Sequence, residues 1–157
     1  VIDRFVARTR QVFGDQLVSV VLYGSVARGE ARPESDVDLL LVLEEAPPAY
    51  HKRLERLLPI LREVRQEACW RELEAKGRFP SLNVVILSRE EAQQNRLLYL
   101  DMIGDAKILI DQGRFFHGRL AALQRRLHEL GARKVARGGA WYWDLKPDLR
   151  PGEVVVL

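Results

Sequence analysis

The sequence predicts an α/β fold. Two short runs, Leu17–Tyr23 and Val37–Leu43, are aliphatic and nearly free of charge, and Gly24 closes the first while acids flank the second. Such runs suit strands that are covered on both faces. A third run, Leu82–Leu87, repeats the pattern, and the segments around these runs carry apolar residues at helical spacing. Strand and helix alternate along the chain, so helices must cover the faces of a sheet.

Taken in order, Ile2, Phe5, Val6, Val12 and Phe13 predict a helix over 2–13, and Gly14 follows where a helix would stop. Leu17–Tyr23 then reads as a central strand. Ser25–Ser35 contains Gly29 and Pro33 and reads as a loop with one helical turn at its start. Val37–Leu43 is entered past Asp36 and Asp38 and closed by Glu44-Glu45 and Pro47-Pro48. From Ala49 to Lys76, the residues Leu54, Leu57, Leu58, Leu61, Val64, Ala68 and Leu73 trace one helical face, with Gly77 as the stop. Pro59 is expected to kink or split this helix. Ser88-Arg89-Glu90-Glu91 has the form of a capping box and predicts a helix over 89–98. Ala106–Ile110 reads as a short strand. Phe115, Phe116, Leu120, Leu123, Leu127 and Leu130 stripe a helix that Gly131 ends, and Gly138-Gly139, between Lys134–Ala136 and Ala140–Trp143, predicts a hairpin.

The chain has 157 residues, one domain's worth, and is 47% hydrophobic and 30% charged, which excludes a disordered chain, a collagen-like repeat and a coiled coil. Its longest uncharged run, Gln16 to Ala27, is far short of the ~18 residues of a membrane span, so no membrane location is expected. The N-terminal residues alternate charge with apolar side chains, unlike a signal peptide, and the single cysteine, Cys69, allows no internal disulfide. Both point to a reducing, cytoplasmic compartment. A net charge of +3 is too small to argue for nucleic-acid binding from bulk electrostatics.

The chemistry concentrates in two stretches, Leu22-Tyr23-Gly24-Ser25-Val26-Ala27-Arg28-Gly29-Glu30 and Ser35-Asp36-Val37-Asp38. Side chains two apart on a strand share a face, so Asp36 and Asp38 stand side by side at the entrance to the sheet. Two such carboxylates repel unless a cation lies between them, and all-oxygen ligands suit Mg²⁺ or Mn²⁺ better than zinc. Gly24-Ser25 leaves a buried strand at a turn, where backbone N–H groups and the Ser25 hydroxyl can hold an anion. An acid pair beside a phosphate-holding turn makes a site for a metal-bound triphosphate, and hence for nucleotidyl transfer.

Gly24-Ser25, ten intervening residues and Asp36-x-Asp38, with Ala27-Arg28-Gly29 and Ser35 in place, resemble the polymerase beta-like nucleotidyltransferase superfamily, in particular its small stand-alone members. The resemblance is specific over 17–43 and weaker to about 91. It implies a mixed sheet backed by helices, with residues 1–157 as a single domain, 17–91 as the core motif region and 92–157 as a C-terminal extension of helix and hairpin. It also implies Mg²⁺ (or Mn²⁺) on Asp36 and Asp38, and NTP phosphates on Gly24 and Ser25, with ATP as the expected substrate. Arg28 and Arg32 lie on the loop beside the phosphates, and Arg28 is the candidate for contacting them.

Active relatives carry a third carboxylate on a later strand. Here the corresponding strand, Leu82–Leu87, has Asn83 as its only polar residue. Asn83 therefore stands where the acid is expected, and Asp101 or Asp105 would substitute only if the chain folds back over the site; Asp101 is the stronger candidate. Two functions follow from the resemblance. One is an enzyme that transfers an NMP from an NTP to an acceptor hydroxyl with release of pyrophosphate. The other is a catalytically weak nucleotide-binding module, antitoxin-like, partnered with a small helical HEPN protein. A third reading, nucleic-acid binding, rests on Arg133, Lys134 and Arg137 interleaved near Trp141, Tyr142 and Trp143, a pattern that also suits a hairpin packed on the sheet. His51, His117, His128, Cys69 and Asp111 read as structural or solvated.

Overall fold

The structure, a computed structural model, describes residues 1–78, 81–138 and 140–157. Strands β1 (Leu17–Tyr23) and β2 (Val37–Leu43) occupy the centre of a four-stranded sheet, with β3 (Leu82–Ser88) beyond β2 and β4 (Lys107–Asp111) beyond β1. β1 is antiparallel to both β2 and β4, whereas β2 and β3 are parallel, so the sheet is mixed. Every residue of β1 is buried, as its unbroken apolar run requires. One end of this sheet therefore gathers the end of β1 and the starts of β2, β3 and β4.

Helices cover both faces. On one face α1 (Ile2–Phe13), α3 (Tyr50–Gln66) and α4 (Ala68–Ala75) bury Phe5, Phe13, Leu57, Ile60, Val64 and Trp70 against Leu39, Leu41 and Leu43 of β2. On the other, α5 (Arg89–Gln93), a 3-10 segment over Leu97–Asp101 and α6 (Phe115–Glu129) bury Ala92, Tyr99, Phe116, Leu123 and Leu127 against Leu40 and Val42. Odd and even residues of β2 thus feed separate cores, the period-2 rule of a covered strand. A register shift between Leu17 and Ser19 changes the phase of β1, which places Leu17, Val20 and Leu22 in one core and Val18, Val21 and Tyr23 in the other.

Pro59 does not split the predicted helix: α3 runs through it, and the break falls at Glu67, whose extended backbone separates α3 from α4. Pro59 and Glu55 lie on the exposed side of α3, so the carbonyl that proline leaves without a donor faces water. The buried face is Arg53, Leu57, Ile60 and Val64, not the predicted stripe in full, and Leu58 is exposed. Gly77 does end α4, at φ 69, with its N–H on the Glu74 carbonyl and that of Arg78 on Leu73.

The helix predicted over 89–98 stops at Gln93. Its capping box forms as read, Ser88 and Glu91 each accepting from the other's backbone N–H, but Glu91 is also drawn into a bidentate pair with Arg53 at 2.7 and 2.8 Å. Beyond Gln93 the chain turns so that Tyr99 can enter the core, its ring edge-on to Phe116 at 5.2 Å. The turn after β1 is the short helix α2 (Gly24–Arg28), and the C-terminal hairpin pairs β5 (Arg133–Arg137) with β6 (Ala140–Asp144). Gly139 of the predicted turn lies outside the described residues. Among the described residues, no helix is long and apolar enough to cross a membrane.

Candidate functional site

Register places the motif residues at one end of the sheet. Tyr23, the last residue of β1, is the partner of Asp38 on β2, and Asp38 is in turn the partner of Asn83 on β3. Asp38, Leu40 and Val42 alternate onto the face of the sheet that α6 covers, so the acids open toward that side. The Asn83 amide nitrogen donates to Asp36 Oδ2 at 3.1 Å and to Asp38 Oδ1 at 3.3 Å. One neutral donor therefore joins two carboxylates that would otherwise repel.

Gly24 begins α2 with φ 72, and a Cβ there would fall on Asp38 Oδ2 and lie 3.2 Å from its carboxyl carbon. The close approach that demands glycine is to this carboxylate, an addition to the phosphate role expected from the sequence. No side chain caps α2. Ser25 thus does not spend its hydroxyl as an N-cap, and it lines a cleft of about 490 Å³ together with Tyr23, Gly24, Arg28, Asp38, Asp101 and Trp141. That volume is in the range that small-molecule ligands occupy.

Arg28 bonds to Glu30 at 2.8 Å, and its pKa is raised chiefly by that bond, with Asp105 and Asp101 adding to it. Arg32 is elsewhere: it lines a different, more apolar pocket with Val1, Ile2, Val26 and Leu73, and its backbone closes a turn with Ser35. The loop turns away from the cleft after Gly29, so sequence proximity to the phosphate turn does not carry Arg32 into it.

Asn83 and Asp101 both reach the region, by different routes. Asn83 arrives through strand register and touches both acids, whereas Asp101, at the end of the 3-10 segment, lines the cleft with Asp38. Asp105 pairs with Lys134 at 3.6 Å. Asp111 is structural, accepting from Ser19 Oγ and from the backbone N–H groups of Phe116 and His117 at the start of α6.

Two cleft residues were not singled out for the site from the sequence. Tyr23 reads there only as a strand end, yet burial, Asp38 and Asp101 together push its hydroxyl up to about 12, so it remains a proton donor beside the acids. The parity of Val21 and Tyr23 was the available signal. Trp141, read as packing or base-stacking, stands in the cleft because Trp143, two residues on, anchors the hairpin by donating its Nε1 proton to the Leu100 carbonyl at 3.3 Å.

The donor set fits a hard cation. Asp36 and Asp38 converge on one point, now taken by the Asn83 amide nitrogen, and the oxygens there suit Mg²⁺ or Mn²⁺. Among the described residues, no group of three or more His, Cys, Asp or Glu is gathered to hold a metal.

A family model described as a nucleotidyltransferase domain matches residues 2–109, from α1 into β4. A Methanocaldococcus jannaschii protein provisionally named a protein adenylyltransferase is 39% identical over 71 residues, which are 45% of this chain and 46% of that protein. A second protein of that organism, with the same provisional name, is 38% identical over 53 residues, 34% of this chain and 54% of its own length. The chain thus spans about half the length of the curated relatives it matches. Among solved structures, a toxin–antitoxin complex with AMP-PNP superimposes with a TM-score of 0.49 at 12% identity, covering 83% of this chain and 94% of that one. A tri-AMPylated Shewanella oneidensis HEPN toxin in complex with MNT antitoxin gives 0.47 at 14%, covering 82% and 88%.

Proposed function

The chain belongs to the nucleotidyltransferase domain family, and from that premise we propose that it transfers the AMP group of ATP to a hydroxyl of a partner protein, releasing pyrophosphate. The observation that carries this reading is the meeting of Asp38, Gly24 and Ser25 on a cleft of ligand size at one end of the sheet, with Asp36 joined to Asp38 through the Asn83 amide. A protein acceptor is supported by the likeness to the two provisionally named protein adenylyltransferases.

In this reading Asp36 and Asp38 hold Mg²⁺, which when bound supplies charge neutralisation for the triphosphate. The Ser25 hydroxyl and the backbone N–H groups of the α2 turn bind phosphate oxygens, and Arg28 contributes a second, charge-assisted contact. The acceptor oxygen forms a bond to the α-phosphorus while the bond from that phosphorus to the bridging oxygen of pyrophosphate breaks. Asp101, the second carboxylate lining the cleft, takes the acceptor's proton. Tyr23, buried beside Asp38 and Asp101, stays protonated and adds no charge to the cleft. Asn83 holds Asp36 and Asp38 together and brings no charge of its own.

The acceptor we favour is a small helical HEPN protein, with the chain acting as the antitoxin that modifies and neutralises it, rather than a free transferase acting on diffusible acceptors. That pairing follows from the resemblance of the Gly24-Ser25 and Asp36-x-Asp38 motif to small members of the family. The test incubates the chain and such a partner with Mg²⁺ and ATP labelled on the α-phosphate, then on the γ-phosphate. Label on the partner from the α position alone, absent in Asp38→Ala, is the expected result. Binding of ATP and partner with no transfer of either label overturns the enzymatic reading and leaves a nucleotide-binding module.

A further inference from the structure

We infer that Trp141 is the stacking platform for the nucleobase of the triphosphate, so that the site grips the base by its face and reads its edge weakly. This rests on the nucleotide-transfer reading above and goes on to say which residue receives the base. Trp141 lines the same cleft as Gly24, Ser25, Arg28 and Asp38, which surround the expected triphosphate, and it is the aromatic residue of that cleft contributed from outside the sheet.

Three features hold the indole in place before any ligand arrives. Trp143, on the same hairpin face two residues later, is tied to the Leu100 carbonyl, one residue before Asp101. Tyr142, between them, points the other way and is half exposed. The Lys134 ammonium lies 3.7 Å from the centre of the Trp141 ring, and Asp105 Oδ2 holds that ammonium at 3.6 Å. The ring that Lys134 holds is the same ring that lines the cleft. An aromatic side chain ordered in advance costs little further entropy on binding.

Stacking on such a surface is available to every base. Among the residues that line the cleft none is Asn or Gln, the side chains whose paired donor and acceptor best read a base edge. The charged groups there, Asp38, Asp101 and Arg28, belong to the metal, the acceptor proton and the phosphates. Base contact then adds affinity without strong selection.

The test is calorimetric, with wild type, Trp141→Ala and Trp141→Phe, each titrated in Mg²⁺ with non-hydrolysable analogues of ATP and GTP and with inorganic tripolyphosphate. Trp141→Ala is expected to weaken both analogues by roughly 5- to 100-fold, Trp141→Phe by less than about threefold, and neither should alter tripolyphosphate. Equal losses for tripolyphosphate would overturn the inference, as would unchanged analogue affinity with a raised KM for the protein acceptor, which assigns the ring to that acceptor. Loss confined to one analogue replaces weak reading by base selection and overturns it too. Wild type that binds neither nucleotide nor tripolyphosphate would bring down the nucleotide-transfer reading as well, whereas tight wild-type binding untouched by Trp141→Ala strikes only this inference.

Discussion

Gly24 and Asp38 are in contact across the end of the sheet, close enough that a single methyl on the glycine would fall on the carboxylate. The glycine of the motif is therefore matched to an acid fourteen positions later in the chain, not only to a ligand. At φ 72 it also holds a backbone conformation that costs other residues about 1–2 kcal/mol.

Gly24→Ala should consequently destabilise the apo protein by about 2 kcal/mol, lowering Tm by roughly 4–8 °C for a chain of this size. In an Asp38→Ala background the same change should cost less, because the clash is gone and only the backbone strain remains. Thermal scans of the four proteins measure this coupling. Additive losses would show that the two residues do not touch.

Asp36→Ala and Asp38→Ala should each abolish Mg²⁺-dependent binding of an ATP analogue in calorimetry. The apo Tm should hold or rise slightly, since each change removes one of two like charges that Asn83 now has to reconcile. Retained binding in both variants would move the nucleotide away from this end of the sheet.

Asn83 and Asp101 make opposite forecasts that one transfer assay separates. With Asp101 as the acceptor's base, Asp101→Asn should reduce transfer by roughly 100-fold or more, and Asn83→Asp should change it little. If the third carboxylate is simply missing, Asn83→Asp should raise transfer from a low level, and the gain should vanish with Asp38→Ala. In either case Asn83→Asp should lower the apo Tm and make it more sensitive to Mg²⁺, because three carboxylates then meet without a neutral donor.

The Arg53–Glu91 pair governs acid stability on the opposite side of the fold. Arg53 is 6% exposed and bonds to Glu91 and to the Pro47 and Ile86 carbonyls, and this bonding holds the Glu91 carboxyl at about 2, below its ordinary 4.5. The unfolded chain takes up that proton first, so the contribution is complete above pH ~4.5 and drains away as pH falls toward ~2. Glu91→Gln keeps a capping-box side chain but removes the charge. It should cost about 1–3 kcal/mol at neutral pH, moderated because Glu91 is a third exposed, and should flatten the loss of Tm over that acid range.

Within the chain itself, local pattern was enough for β1 and β2, the start and stop of α1, the capping box at Ser88 and the Gly77 cap, because each depends on residues a few positions apart. The Gly24-Ser25 and Asp36-x-Asp38 motif was legible for the same reason: its residues cluster at the ends of two apolar runs, whereas their joining through Asn83 depends on a distant strand. Where a distant partner competed, local pattern failed. Pro59 did not break α3, since the lost hydrogen bond faces solvent while Leu57, Ile60 and Val64 remain packed on the sheet. The helix after Ser88 was cut short as Tyr99 entered the core, and Arg53, charged and in the first turn of α3, became buried because Glu91 lies 38 positions away in sequence but within hydrogen-bond reach.

The candidate site divides in the same way. Asp36, Asp38, Gly24 and Ser25 could be named from the sequence, because they sit at or beside the ends of two apolar runs that local pattern identifies. Tertiary structure decided that Asn83 meets the acids through the parallel register of β2 and β3, that Asp101 and Trp141 line the cleft while Arg32 lies outside it, and that burial beside Asp38 and Asp101 raises the Tyr23 hydroxyl. Register and burial arise from the packing of a whole face against its helices, and that sum over many residues cannot be read from any one segment.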